Sequence, residues 1–348
     1  MAPQTHTAAV LVDKDTHSFT FEQRATPTPG PNDILIEVHA LALNPIDYMQ
    51  RDRGFPAIDY PSIVGSDIGG IVVAVGSAVP SSYPQPGTRV TAFAPSFYEK
   101  GKPDYGAFQK YACVWKEMVT AIPENMGLVE ASTLGMATYT AMNGIYTAGL
   151  PLDGRYTATD KKALLIWGGS ASVGASMVQV ARIMGITTYV TASAKNHGFL
   201  KTLGASRLFD YKDADVVQQI VAAASEDGLV LKHAYDAAGG TRQILDVLKE
   251  FKDGQEPVLA SAPASIFKPD SPREPGVAVK FVKCPDEPTE RSKHFDYIGQ
   301  IWLKEKLASG EYGVGSKVEL VEGGFESLDK ALDTLRAGVS GTKLVIQV

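Results

Sequence analysis

The chain is predicted to form two α/β domains: a barrel-like domain of antiparallel strands, and a doubly wound parallel sheet covered by helices. Three observations predict this. Up to about residue 125 the apolar residues come in short β-branched runs punctuated by Pro and Gly pairs. From about residue 126 strands alternate with single helices, the order of right-handed crossovers in a parallel sheet. Between them, "ALLIWGGSASVGASMVQVARIMG" (163–185) runs from a strand through a Gly- and Ser-rich turn into a helix. At 348 residues the chain is long enough for two cores.

In the first part, "TAAVLV", "DILIEVHALAL", "GGIVVAVG" and "GTRVTAF" are the strands, separated by turns such as "PTPGPND" and "YPQPG". "MGLVEASTLGMATYTAMNGIYTAG" then reads as helix and "KKALLIW" as a buried strand. The helix "SVGASMVQVARIMG" closes at Gly185. Strands "ITTYVTAS", "RLFDY", "LKHAYDA" and "PVLASA" follow, alternating with helices "NHGFLKTLG", "DADVVQQIVAAAS" and "TRQILDVLKEF". A Pro-rich surface loop leads to strand "VAVKFV" and the long helix "KHFDYIGQIWLKEKLASG". The tail, from "VELVEGG" to "KLVIQV", reads as strand, helix, strand, with the last strand expected to pair back onto the first domain. The domains are therefore expected at 1–125 with 291–348, and at 126–290.

Composition narrows the function. A formal charge of −6 with no Lys/Arg-rich block gives no footprint for nucleic acid. The N-terminus lacks the pattern of a leader, and no run reaches the roughly 18 apolar residues of a membrane span, so a cytoplasmic protein without an anchor is expected. Cys113 and Cys284 cannot build a disulfide framework. The six histidines are scattered without ligand spacing, so no metal is expected.

The turn after Trp167 presents backbone N–H groups and the positive end of a helix dipole, the ingredients of an anion site. Against the pattern G-x-G-x-x-G, Gly169 and Gly174 match the first and third glycines and Ala171 replaces the second. A turn that needs glycine only for its own geometry explains the motif equally well. The next strand is more telling: a dinucleotide site for NADH would offer a carboxylate at its end, whereas here it reads "TASAKN". Ser193 and Lys195 are donors and no carboxylate precedes Lys195 in that segment, which suits a 2′-phosphate and favours NADPH. Tyr211, closing the third strand, would flank the adenosine end or pack as a half-buried core residue.

This order of elements resembles the medium-chain dehydrogenase/reductase superfamily over nearly the whole chain. The resemblance is carried by "NPID" (44–47), "VGSDIGGIVVAVG" (64–76), "GAFQKYACV" (106–114), "ASTLGMATYTA" (131–141), "WGGSASVGASMVQVA" (167–181) and "GVSGTKLVIQV" (338–348). It implies a GroES-like β-barrel catalytic domain and a Rossmann cofactor domain. "LLIWGGSASVG" and "TASAKN" are most similar to the fungal enoyl reductases that act in trans on polyketide synthases. In such reductases the segments matching Ile46 to Met49 (Asp47 and Met49 among them), Ser170, Ala171, Ser172 and Val173, Ser193 to Asn196, Tyr211, Leu259 with Ala260, and Val339 with Ser340 line NADPH. The segment from Thr133 through Met136 to Thr140 would face the substrate. Zinc enzymes of the superfamily carry Cys near Asn44, Gly-His-Glu where this chain has Gly65, Ser66 and Asp67, and often four clustered cysteines around 95–110. None of these ligand sets is present, so zinc-assisted chemistry is not expected. The family often has Asp-Trp-Lys after Asn-Pro; here Asp47, Tyr48 and Met49 follow the intervening Ile46, and Met49 cannot supply the lysine's charge.

The implied reaction is NADPH-dependent, metal-independent reduction of the C=C bond of an α,β-unsaturated carbonyl compound, either an enoyl thioester or an enone, in secondary metabolism. Tyr48 and Thr140 are the candidate catalytic donors to the carbonyl oxygen; Tyr48 equally suits packing without a proton role. The substrate would be a small molecule or carrier-bound, with a polyketide synthase as the implied partner, and the protein a monomer or a homodimer. A quinone or aldehyde reductase, or a non-catalytic NADPH-binding descendant, are the alternatives.

Overall fold

The β-branched runs of the first part form strands whose burial follows their composition. The computed structural model describes residues 2–56 and 58–348, and divides into two units, 1–136 with 288–348 and 137–287. The first junction thus falls inside a helix and not ahead of it.

The first unit is built on β3 (Asp33–Ala42), an apolar run buried along nearly its whole length. One edge of β3 pairs antiparallel with β4 (Asp67–Val75). Its other edge is shared by β6 (Tyr111–Trp115) and the C-terminal strand β15 (Thr342–Gln347). The tail therefore does return to the N-terminal sheet, with Val345 opposite Ala42 and Ile346 opposite Leu41. β5 (Arg89–Phe93), β7 (Val119–Ala121) and β14 (Lys317–Val321) complete a seven-stranded sheet. A separate hairpin joins β1 (Thr5–Val10) to β2 (Thr20–Ala25). Helix α1 (Pro45–Arg53) follows β3, and α10 (Leu328–Ala337) precedes β15. Arg51 ties the two helices, reaching Asp329 and Asp333 on α10 at 3.3 and 2.6 Å.

The second unit is a six-stranded, all-parallel sheet. Its strands are β8 (Ala163–Trp167), β9 (Thr187–Thr191), β10 (Arg207–Phe209), β11 (His233–Asp236), β12 (Val258–Ser261) and β13 (Ala278–Phe281). They lie in the order β10-β9-β8-β11-β12-β13, so the order reverses beside β8, where ligands of open parallel sheets bind. Helices α4 (Ser172–Met184), α5 (His197–Leu203), α6 (Val216–Glu226) and α7 (Thr241–Leu248) make the crossovers. Ile220, Ile244, Leu245 and Leu248 pack with Leu165, Ala234 and Leu259 in one apolar core.

Two helices differ from expectation. The helix expected across 126–149 is two, α2 (Leu128–Ala131) and α3 (Gly135–Thr147). Between them the hydroxyls of Ser132 and Thr133 donate back to Val129 O and Glu130 O, both at 2.7 Å, and compete with the helical ladder. The helix expected over 293–310 begins earlier, as α8 (Pro288–Asp296), widens to a π-helix over Tyr297–Leu303, and ends as α9 (Lys304–Ala308). The Thr120 hydroxyl donates to Gly299 O at 3.0 Å inside the widened turn, and such insertions into the ladder accompany π-bulges. Among the described residues no helix is long and apolar enough to cross a membrane.

Candidate active site

The glycine turn of the second unit is locked between β8 and β9. Gly168 adopts φ 84°, and its N–H donates to the Thr191 hydroxyl at 3.1 Å while Gly169 N–H donates to Thr191 O at 2.8 Å. A Cβ at Gly174 would lie 2.2 Å from Gly168 O, and one at Gly169 would lie 2.2 Å from Val190 Cγ1. These contacts alone explain the glycines. What they leave over is the start of α4: Ala171 is its N-cap and has no side chain to satisfy the first-turn N–H groups. Ser170, Ala171, Ser172 and Val173 all keep partial exposure there. An anion is the natural acceptor for that turn.

The neighbouring strand ends bring Ser193 and Tyr211 together, beside a group that sequence reasoning missed. Ser193 Oγ lies 3.5 Å from the Tyr211 hydroxyl, Lys195 is exposed, and Tyr211 is 45% exposed. Asp210, at the end of β10, accepts the N–H of Ala194 at 3.0 Å and of Lys212 at 3.0 Å. These two hydrogen bonds, Lys212 first, hold its carboxyl below the usual range. A carboxylate is thus beside "SAK" after all, supplied by the third strand instead of the second. Asn196 is half-buried. Leu259 and Ala260 are fully buried in β12, so only their main chain is left to meet a ligand. Asp236, also unforeseen, gathers the N–H groups of Ala238, Gly239 and Gly240 and the hydroxyl of Thr241, shaping the turn into α7.

In the first unit the segment "NPIDYMQ" becomes α1, positioned by a capping box. Asn44 is the N-cap, Pro45 takes the first position, and Asn44 N–H donates to Asp47 Oδ2 at 2.7 Å. Asp47, expected to line the cofactor, is closed off from solvent and works inside the protein as that cap. Burial, with the nearby Asp67 charge adding to it, pushes its carboxyl from 3.8 up to about 7. Tyr48 and Met49 instead face a cavity of about 340 Å³, walled by Asp52, Arg53 and Arg336. The Tyr48 hydroxyl has no hydrogen-bond partner among the described residues. Val339 is half-buried and Ser340 exposed on the loop between α10 and β15.

Of the expected substrate segment, Thr133 is 5% exposed with its hydroxyl turned back into α2. Met136 and Thr140 keep partial exposure on α3. Asn44 and Asp67, in the segments where the resemblance puts the Cys and the Gly-His-Glu of the zinc enzymes, do meet: Asn44 Nδ2 donates to Asp67 Oδ2 at 2.9 Å. The Lys343 ammonium already sits there, 3.1 Å from Asp67 Oδ2 and 2.5 Å from Asn44 Oδ1. An amide, one carboxylate and a resident ammonium do not fit zinc. Among the described residues no three His, Cys, Asp or Glu side chains are gathered so as to hold a metal ion.

An alcohol dehydrogenase GroES-like domain matches residues 30–124. The chain is 42% identical over 343 residues to the trans-enoyl reductase tndF of Aspergillus flavipes, covering 98% of each protein. It is 49% identical over 261 residues to the trans-enoyl reductase tazE of Aspergillus terreus, covering 74% of this chain and 86% of that one. Among solved structures, the CurK enoyl reductase superposes with a TM-score of 0.74 over 99% of each chain at 18% identity, a likeness of fold.

Proposed function

Because the chain belongs to the medium-chain dehydrogenase/reductase superfamily, within the group of the fungal trans-enoyl reductases, and is an oxidoreductase of that type, we propose that it reduces the C=C bond of an α,β-unsaturated carbonyl compound with NADPH and without a metal. The observation that carries this reading is the near full-length similarity to a trans-enoyl reductase. The preferred substrate is an enoyl thioester on a polyketide synthase carrier, in secondary metabolism; a free enone is the simpler form of the same chemistry.

When bound, NADPH supplies the hydride that adds to the β-carbon. The open first turn of α4 and the loop 170–174 would hold its diphosphate. Ser193 and Lys195 would hold the 2′-phosphate, Lys195 through charge and Ser193 through its hydroxyl. Negative charge builds on the substrate carbonyl oxygen as the β-carbon is attacked. Tyr48 and Thr140 are the donors proposed to meet that charge, each with a hydroxyl not engaged elsewhere among the described residues. The α-carbon then takes a proton, from Tyr48 or from water. Met49 leaves the cavity wall without the lysine frequent in the family.

One observation favours a second reading of the cofactor. Asp210 puts a carboxylate beside Ser193, where it would accept a ribose hydroxyl of NADH or disfavour a 2′-phosphate. Both its oxygens are engaged by backbone N–H groups, which weakens that role. The reaction is tested by following deuterium from 4-deuterated NADPH into an enoyl thioester by NMR. Label at the β-carbon is expected; a labelled alcohol carbon would make the protein a carbonyl reductase.

A further inference from the structure

Lys343 is an anomaly in its strand. β15 is otherwise a core strand, with Leu344, Val345 and Ile346 at 1% exposure or less, and Lys343 itself is 3% exposed. A buried ammonium is costly unless it is paired and hydrogen-bonded, and a well-packed apolar side chain of similar volume often serves stability as well or better. Stability therefore does not explain it. Its contacts suggest what does.

The ammonium donates to Asn44 Oδ1 at 2.5 Å and pairs with Asp67 Oδ2 at 3.1 Å. Asn44 is fixed at both ends of its amide, because Nδ2 donates to Asp67 Oδ2 at 2.9 Å while Oδ1 accepts from Lys343. The backbone N–H of the same Asn44 is held by Asp47, so the residue that starts α1 is anchored on three sides. Asp67 has its second oxygen on another helix: Oδ1 accepts the N–H of Met136 at 2.5 Å, in the first turn of α3. Gly135 leaves room for that carboxylate, since a Cβ there would lie 2.6 Å from Asp67 Oδ1. One ammonium on strand β15 thus joins the start of α1, which carries Tyr48, to the start of α3 at Gly135 and Met136.

We propose that Lys343 is a positioning residue: its buried ammonium, held between Asn44 and Asp67, fixes the first turns of α1 and α3 and thereby the orientation of Tyr48. It does so with a cation that is part of the chain. The role of Tyr48 rests on the enoyl-reductase reading above; the fixing of the two helix starts does not.

The test combines hydrogen–deuterium exchange by mass spectrometry with steady-state kinetics on the full chain, using wild type, Lys343→Met, Lys343→Arg and the charge-neutral pair Asp67→Asn with Lys343→Met. In Lys343→Met, exchange over 44–49 and 133–140 is expected to quicken by about tenfold or more, while 163–191 is unchanged. Turnover of an enoyl thioester is expected to fall by at least about tenfold with KM for NADPH within about threefold, and Lys343→Arg to recover most of it. The neutral pair removes the uncompensated carboxylate, so it keeps the fold available for measurement should the single variant not fold. It is expected to retain fast exchange over 44–49. Wild-type exchange in both segments of the neutral pair, or a loss of turnover that Lys343→Arg does not relieve, overturns the proposal. If wild type reduces no enoyl thioester, the functional reading fails instead, and the exchange measurement still decides the role of Lys343.

Discussion

Tyr48 is the donor proposed to meet the charge on the substrate oxygen. It sits on the wall of the 340 Å³ cavity beside Met49, and its hydroxyl has no hydrogen-bond partner among the described residues. Tyr48→Phe is expected to lower turnover by about tenfold to a hundredfold, the range of one lost donor or proton-transfer group, with little change in NADPH affinity. Unchanged turnover would reduce Tyr48 to packing. For Lys195, exposed beside Ser193, fluorescence titration of Lys195→Ala is expected to show NADPH affinity falling by about tenfold, one charge-assisted contact, while NADH affinity stays level. Equal losses would hand the site to Asp210 and the ribose hydroxyls. Asp47 gives a pH dependence whose sign is fixed by its burial. Its carboxyl binds a proton more tightly in the folded chain, about 7 against 3.8. Its contribution is therefore fully favourable below pH 4 and is lost as pH rises through 7. Urea midpoints of Asp47→Asn are expected to gain on wild type between pH 5 and pH 8; parallel curves would contradict the buried acid. Tyr48 and Lys195 are the candidates that the motifs of the sequence put forward. Asp210 was not legible there, because its placement depends on which strand ends lie side by side, and neither was the burial of Asp47, whose motif reads the same whether its side chain faces a ligand or caps its own helix.

At the scale of elements, the glycine turn was legible because its constraints are local. Gly168 needs its positive φ and Gly174 its bare Cα against Gly168 O. Gly174→Ala is expected to destabilise the protein by about 1–3 kcal/mol, the usual cost of forcing a methyl into a packed contact. Thermal denaturation checks it, and an unshifted midpoint would mean that the turn yields. Elements were missed for equally physical reasons. β2, "TFEQRA", is exposed at nearly every position, so it carries no apolar alternation. α1 has only nine residues and a mostly polar sequence, and its start is set by a capping box instead of an apolar stripe. The π-helix over Tyr297–Leu303 involves a hydroxyl from Thr120, far away in the chain.

For the molecule as a whole, the two grammars of the sequence correspond to two units with separate sheets, one largely antiparallel and one wholly parallel. That division was legible because period-two runs and strand–helix alternation are properties of whole segments, robust to errors at any one residue. The charge network of Asn44, Asp67 and Lys343 was not legible, since it joins residues about 20 and 300 positions apart that share no motif. The central claim is that this assembly uses NADPH to reduce an activated C=C bond. Stopped-flow loss of NADPH absorbance with a panel of enoyl thioesters, enones, quinones and aldehydes tests it most directly. Rapid oxidation with the enoyl thioesters or enones, and slow or no oxidation with quinones and aldehydes, is the predicted result. Oxidation by quinones or aldehydes alone, or by none of the panel, would contradict it.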